Sequence, residues 1–133
     1  MPQIRVSEAA KFLGVSDDTV RRWVSTGALR STQDSSGRMA IDGRELAQFS
    51  KAQFARDKAP PDSGASTSAR NRFVGLVTTV KTDAVMAQVE MQCGPFRVVS
   101  LMSSEAVHDL GLEPGSVAVA VIKSTNVIVE SVE

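Results

Sequence analysis

Apolar residues in the first third of the chain recur at the spacing of helices. One helix is predicted to begin at the cap Ser7, to carry Phe12 on its apolar face and to end at Gly14. A second helix is predicted after the cap Ser16, since residues 20–24 place apolar side chains at positions i, i+3 and i+4. Two short helices joined by a turn that contains glycine are typical of a helix-turn-helix.

The next segment predicts a hairpin followed by a third helix. Residues 29–41 have the pattern of two short strands with Ser36 and Gly37 at the tip. Asp42 and Glu45 form a pair typical of a capping box, which predicts that a helix begins there. A hairpin in this place would be the wing of a winged helix-turn-helix.

In the second half of the chain the pattern changes to alternation. Polar and apolar residues alternate between Val85 and Gln92, as in a half-buried strand, and Ser103 is placed to cap a short helix that Gly111 ends. The predicted elements are strands over 73–80, 85–92, 96–102, 117–122 and 127–132, and a helix over 104–110. Five short strands with one helix predict a small, closed or nearly closed barrel of the OB-like class, so the fold class of the chain is α+β.

A change of composition separates the two patterns. Residues 57–67 contain two consecutive prolines, a glycine and small polar residues, with few side chains suited to a core. Such a composition is typical of a flexible linker. We therefore expect a winged helix-turn-helix domain over 1–56, a linker over 57–67 and a β-barrel domain over 68–133.

The formal net charge of zero hides an uneven distribution. Residues 1–58 carry ten Lys and Arg against seven Asp and Glu, whereas residues 59–133 carry five against eight. A mildly basic first half is compatible with a polyanionic partner such as nucleic acid.

Single residues exclude several classes of function. Cys93 has no second cysteine with which to form a disulfide or a zinc site, which favours a reducing compartment. His108 is the only histidine and has no evident partner for a serine–histidine triad, so we expect no enzyme activity and no metal site. Apolar runs are too short to span a membrane, and no signal peptide is evident, so we expect a cytoplasmic protein without a membrane partner.

Two short polar runs in the second half have the chemistry of an oxyanion site. The first is Ser68-Ala69-Arg70-Asn71, and the second is Lys123-Ser124-Thr125-Asn126. Each combines one cation with hydroxyl or amide donors, so the two runs together could hold a small anion if they meet in space.

The first half resembles the winged helix-turn-helix of the MerR and excisionase superfamily over residues 4–50. The resemblance is carried by Val6 to Ser16, by Thr19-Val20-Arg21-Arg22-Trp23 and by Gly27-Ala28-Leu29. It implies binding to double-stranded DNA, with contacts from Thr19, Arg21, Arg22 and Arg38. Arg38 would be the wing contact, and it is followed by Met39-Ala40-Ile41 rather than further basic residues, so we expect weak wing contacts.

The second half resembles the molbindin-type Mop/TOBE domain, a molybdate-binding module. The matching pieces are Ser68-Ala69-Arg70-Asn71, Val74-Gly75, Leu110-Gly111-Leu112 with Pro114-Gly115, and Val121 to Val127. The resemblance implies a site for molybdate or tungstate, with Ser103 reaching the anion from a neighbouring subunit. Carried over by position, the ligands are Ser68, Arg70, Ser103, Lys123 and Ser124, with Asn71 and Thr125 as second choices.

Together the two resemblances imply a molybdate-responsive or tungstate-responsive transcriptional regulator with its anion bound between subunits. Self-association is expected, either as a dimer or as a hexamer built from dimers. The alternative is a molybdate storage protein whose first half has no regulatory role. A third, weaker possibility is an excisionase-like DNA-architectural protein whose second half serves only for assembly.

Overall fold

The computed structural model describes residues 2–54 and 66–132, which fall into two compact units, 1–58 and 59–133. Most of the predicted linker, residues 57–65, lies outside the described residues. Residues 66 and 67, where the description resumes, have no regular secondary structure.

The first unit contains three helices and a small sheet. Its helices are α1 (Val6–Leu13), α2 (Asp17–Ser25) and α3 (Gly43–Phe54), and its strands are β1 (Gln3–Arg5), β2 (Thr32–Gln33) and β3 (Met39–Asp42). The sheet is antiparallel with the order β1-β3-β2, so the hairpin β2–β3 is the predicted wing. The helix-turn-helix prediction is therefore confirmed, and β1 is an element that the sequence pattern did not reveal.

Local signals place most of the helix ends correctly. The Ser16 hydroxyl accepts from the Thr19 backbone N–H at 3.2 Å, which confirms Ser16 as the cap of α2. The Asp42 carboxylate accepts from the Arg44 N–H at 2.8 Å at the start of α3. The prediction of Ser7 as a cap is wrong, because α1 already begins at Val6 and its cap position is Arg5.

The core of the first unit joins all three helices to the sheet. Its buried members are Val6, Ala9, Ala10, Leu13, Val20, Leu29, Ile41 and Leu46. Trp23 of α2 and Phe49 of α3 pack beside them with ring centroids 5.0 Å apart. The sequence predicts Phe12 on the buried face of α1, but Phe12 is 68% exposed because Ala9, Ala10 and Leu13 form that face.

The second unit contains four strands and one short helix. They are β4 (Asn71–Thr82), β5 (Met86–Cys93), β6 (Phe96–Ser103), α4 (Ser104–Leu110) and β7 (Val117–Ile122), followed by a 3₁₀ turn over Ser124–Asn126. The Ser103 hydroxyl accepts from the Ala106 N–H at 3.0 Å, and Gly111 ends α4 with φ +63°. Both predicted boundaries of this helix are therefore confirmed.

The sheet curls because the two halves of β4 pair with different neighbours. The first half of β4, from Asn71 to Leu76, pairs with β7, and its second half, from Leu76 to Thr82, pairs with β5. The strand order is β6-β5-β4-β7, yet the two edge strands line one cleft. The sheet is thus a curled half-barrel, and it agrees with the predicted OB-like class. The fifth strand predicted over 127–132 is wrong for this chain by itself: these residues form no backbone pairing with any strand of the sheet.

Gly75 lies where β4 changes from one neighbour to the other. A Cβ added there would lie 2.6 Å from the Cys93 Sγ and would overlap the carbonyl of Gln92. Both obstacles belong to the packed strand β5, and one of them is backbone. Glycine is therefore required by the close approach of the two strands.

We predict that Gly75→Ala destabilises the second unit by about 1–3 kcal/mol, because the added methyl group overpacks the strand pair. Denaturant unfolding followed by far-ultraviolet circular dichroism measures this loss. Trp23, the single tryptophan, reports on the first unit, whose fluorescence transition should not move. Val74→Ala on the same strand is the control and should cost less. An unchanged unfolding transition in Gly75→Ala would contradict the prediction.

Candidate functional site

The two polar runs of the second half meet at one end of the sheet. Asn71, the first residue of β4, is the register partner of Ile122, the last residue of β7. The Asn71 side-chain amide also donates to the Ile122 carbonyl at 3.0 Å. Arg70 and Lys123 directly adjoin this pair, so the fold brings together the two cations that the sequence suggested.

The first run is ordered by its own backbone and hydroxyl groups. The Arg70 guanidinium donates to the Thr67 carbonyl at 3.3 Å, and the Ala69 N–H donates to the Thr67 hydroxyl at 3.1 Å. Ser68 and Arg70 are exposed, and Asn71 is half-buried. The hydrogen bonds to Thr67 therefore fix the conformation of the first run, while the side chains of Ser68 and Arg70 remain accessible to solvent.

The second run turns sharply after β7. The Asn126 N–H donates to the Lys123 carbonyl at 2.9 Å, which closes a single 3₁₀ turn. Lys123, Ser124 and Thr125 are all exposed. The turn presents an ammonium group and two hydroxyl groups beside the start of β4.

Ser103 lies away from this cluster. It is the last residue of β6 and pairs with Met86 at the start of β5. That end of β5 lies beside Thr82, the last residue of β4. Asn71, where the two polar runs meet, is the first residue of β4 and lies at its opposite end. Nearly the whole length of β4 therefore separates Ser103 from the two polar runs within one copy of the unit.

The polar cluster has the donors for an anion but little cover. Arg70 and Lys123 supply two positive charges, and serine hydroxyls add neutral donors. A dianion is stable away from water only where its charge is compensated and its oxygens are hydrogen-bonded. Because these side chains are exposed, further groups would be needed to enclose an anion at this cluster.

The predicted DNA contacts of the first unit lie on α2 and on the wing. Arg21 and Arg22 are exposed on α2, and Arg38 is exposed directly before the strand β3. Thr19 is half-buried, and its hydroxyl is 2.9 Å from the Ser16 hydroxyl at the cap. The structure therefore presents the three arginines to solvent and engages Thr19 in the helix cap.

A recess of about 360 Å³ joins α2 to the wing and to the start of α1. Arg21, Arg38 and Asp17 line it, and so does Arg5, which the sequence patterns did not single out. Arg5 comes into place through the pairing of β1 with β3, where it is the register partner of Ala40. A three-residue strand carries too weak a sequence signal for this placement to have been predicted.

Asp34 organises the wing. Its carboxylate accepts from the Ser36 hydroxyl at 2.6 Å and from the Arg38 N–H at 3.0 Å, and it lies 3.7 Å from the Arg5 guanidinium. The Ser36 hydroxyl is the main group that lowers the pKa of Asp34, and the Arg38 N–H lowers it further. Asp34 thus stays ionised and ties the hairpin tip to Arg5.

Over residues 2–54 and 66–132, no helix is long and apolar enough to cross a membrane. Within the same ranges, His, Cys, Asp and Glu side chains do not form a group of three or more that could hold a metal ion.

Two family models match the chain. Residues 4–53 match a helix-turn-helix domain, and residues 67–129 match the TOBE domain. Together they confirm that the first half contains a helix-turn-helix domain and that the second half contains a TOBE domain. The narrower assignment to the MerR and excisionase superfamily stays a prediction.

Curated relatives match about half of the chain. Molybdenum-pterin-binding protein 3 of Clostridium pasteurianum is 42% identical over 65 residues, which are 48% of this chain and 96% of that protein. The molybdenum transport protein ModE of Herbaspirillum seropedicae is 40% identical over 63 residues, 47% of this chain and 23% of ModE.

A solved structure also resembles half of the chain. The cytoplasmic molybdate-binding protein ModG, crystallised with molybdate bound, is 46% identical with a TM-score of 0.48. The match covers 50% of this chain and 48% of ModG.

Proposed function

The chain belongs to the family of the molybdenum-pterin-binding proteins through its TOBE domain, and we propose that it is a molybdate-responsive or tungstate-responsive transcriptional regulator. The meeting of the two polar runs at the Asn71–Ile122 pair carries the anion half of this proposal. The helix-turn-helix with its exposed arginines supports the DNA half. The protein would act in the cytoplasm by binding rather than by catalysis.

The proposed ligands are the groups that the two runs present. Arg70 and Lys123 would together balance the two negative charges of molybdate. Ser68 and Ser124 would donate hydroxyl hydrogens, with Asn71 and Thr125 as second choices, and Ser103 would come from a second copy. Sulfate carries the same charge, so selectivity would depend on the size of the enclosed site and on fixed donors.

We predict that Arg70→Ala weakens molybdate binding at least about tenfold, because a charge-assisted hydrogen bond contributes about 1.5–3 kcal/mol. Isothermal titration calorimetry of the full chain with molybdate, tungstate and sulfate measures the effect. Arg97→Ala is the matched control, since Arg97 of β6 pairs with Glu90 of β5 and the substitution should leave anion binding intact. Wild-type affinity in Arg70→Ala would remove Arg70 from the site, and no heat from the wild type with any anion would refute the sensor.

The proposed DNA contacts are Thr19, Arg21, Arg22 and Arg38. In a helix-turn-helix the second helix enters the major groove, and basic side chains beside it meet phosphates. Arg21 and Arg22 are adjacent on α2 and therefore point in different directions, so one can meet a phosphate while the other meets a base edge.

We predict that Arg22→Ala weakens DNA binding and lowers the salt dependence, the slope of log K against log salt, by about 0.9 if Arg22 meets one phosphate. Fluorescence anisotropy with a duplex from the protein's own upstream region, measured from low to physiological salt, gives the slope. Arg30→Ala is the control, because Arg30 pairs with Glu45 at 3.8 Å. If the affinity and the slope of Arg22→Ala match the wild type, Arg22 lies outside the interface.

A storage protein is the second candidate function. The match to the Clostridium protein covers 96% of that protein with only half of this chain, so a TOBE unit alone makes up nearly all of that relative. A DNA mobility shift with and without molybdate separates the two functions. A shift that molybdate changes supports the regulator, whereas absent or unchanged DNA binding supports storage.

We also propose that the protein self-associates, either as a dimer or as a hexamer built from dimers. The exposed polar cluster and the distant Ser103 support it, because a second copy could supply both cover and a missing donor. A two-fold assembly would also suit two DNA half-sites about 34–36 Å apart.

A further inference from the structure

The tip of the wing, residues 34–38, is organised by the side chain of Asp34. One carboxylate oxygen, Oδ1, accepts from the Ser36 N–H at 2.9 Å, from the Ser36 hydroxyl at 2.6 Å and from the Arg38 N–H at 3.0 Å. The Asp34 side chain is only 15% exposed, although it directly follows the two-residue strand β2. A carboxylate withdrawn from water to this extent is stable because these hydrogen bonds replace those of water.

Asp34 binds both backbone polar groups of Arg38. The Arg38 N–H donates to the Asp34 carboxylate, and the Arg38 carbonyl accepts from the Asp34 N–H at 2.8 Å. Directly before Arg38, the Gly37 N–H donates to the Asp34 carbonyl at 3.0 Å. Ala40 and Ile41, which follow Arg38 on β3, are completely buried. The Arg38 backbone is therefore fixed between the tip and the core, and this sets the direction of its Cα–Cβ bond.

The second carboxylate oxygen of Asp34, Oδ2, faces Arg5. It lies 3.7 Å from the Arg5 Nε, and the Arg5 side chain is 51% exposed. An ion pair at this distance with a half-exposed partner contributes little. The hydrogen bonds to Oδ1 are therefore the main way in which Asp34 acts on the tip.

The negative charge of Asp34 opposes DNA binding when it is considered by itself. Three guanidinium groups and one carboxylate line the recess between α2 and the wing: Arg5, Arg21, Arg38 and Asp17. Asp34, which pairs with Arg5, adds a second carboxylate, so only a single positive charge remains in excess. Anionic groups near a surface that meets phosphates lower the affinity for DNA. Any benefit from Asp34 must therefore come from geometry.

We propose that Asp34 is a positioning residue for DNA binding, because its hydrogen bonds hold Arg38 in the direction from which Arg38 meets the duplex. This inference rests on the DNA binding and the Arg38 contact proposed above. Arg38 is the only cation among residues 34–38, so the contact of the tip with DNA depends on its placement. A tip that is ordered before the encounter loses less conformational entropy on binding.

Asp34→Asn and Asp34→Ala separate hydrogen bonding from charge. Both variants remove the same negative charge, but the Asn side-chain oxygen can accept the bonds that Oδ1 accepts, whereas Ala accepts none. Asp34→Asn should bind the duplex from the protein's own upstream region at least as tightly as the wild type. Asp34→Ala should bind about tenfold more weakly, because DNA binding must then order the tip. Fluorescence anisotropy at one fixed salt concentration measures both affinities, and equal affinities of the two variants would overturn the proposal.

A double-mutant cycle tests whether Asp34 acts through the Arg38 side chain. In the background of Arg38→Ala, Asp34→Ala should cause no further loss of affinity, because the side chain that it positions is already absent. Arg30→Ala is the control background, since Arg30 pairs with Glu45, and the full loss of about tenfold should persist there. The same loss in the Arg38→Ala background would overturn the proposal, since Asp34 would then act on the wing as a whole.

Two further measurements separate positioning from unfolding. Trp23 packs beside Phe49 against the core of the first unit, so its fluorescence reports on the fold of that unit. Asp34→Ala should keep the wild-type spectrum, because the tip lies outside the core. The Arg38 amide should exchange its hydrogen faster in Asp34→Ala than in the wild type and in Asp34→Asn. Equal exchange rates in all three proteins would overturn the proposal.

Asp34→Ser keeps the test decisive if Asp34→Ala loses the folded spectrum. A serine hydroxyl makes the same kind of turn more weakly than Asn does, so Asp34→Ser should bind DNA less tightly than Asp34→Asn. Equal affinities of these two variants would then overturn the proposal.

Failure of the wider function gives a different result. A wild type that does not bind the duplex even at low salt would refute the DNA-binding function and this inference with it. A wild type that binds, together with an Asp34→Ala variant that binds as tightly as Asp34→Asn, would overturn only the role of Asp34.

Discussion

The second unit depends on the division of one strand between two neighbours. β4 pairs with β7 along its first half and with β5 along its second, and Gly75 allows the close approach where the two halves meet. This arrangement curls the sheet so that its two edges face one cleft. It also pairs Asn71 with Ile122, which lies 51 positions later in the sequence, and this pairing sets the two polar runs side by side.

The cost of burying charge explains why the proposed anion site would need more groups than one copy offers. The polar runs offer two cations, but their side chains remain exposed to water. In that environment an anion is screened and its hydration competes with every donor. A strong site needs a drier enclosure, and under the proposed self-association a second copy would supply it together with Ser103. Anion binding and assembly are therefore expected to stabilise each other.

Local signals in the sequence predicted most of the fold, and contacts between distant segments account for the rest. The caps Ser16 and Ser103 act within three residues, so their roles could be predicted from the sequence. The exposure of Phe12 depends on which face of α1 meets the sheet, and the position of Arg5 depends on the pairing of β1 with β3. Residues 127–132 have the pattern of a strand but pair with no strand of the described chain, because pairing needs an edge that the pattern does not specify.

Assembly also offers a route by which an anion could control DNA binding. A ligand shifts an equilibrium only through its different affinities for the two states, so an anion bound between copies favours the assembled state. Two helix-turn-helix domains held in one assembly bind two half-sites with an effective concentration set by the segments that join them. Coupling of this kind does not require a rigid connection between the units. A segment with the linker composition of residues 57–67 is therefore compatible with regulation, provided that the anion acts on association rather than on the shape of a single chain.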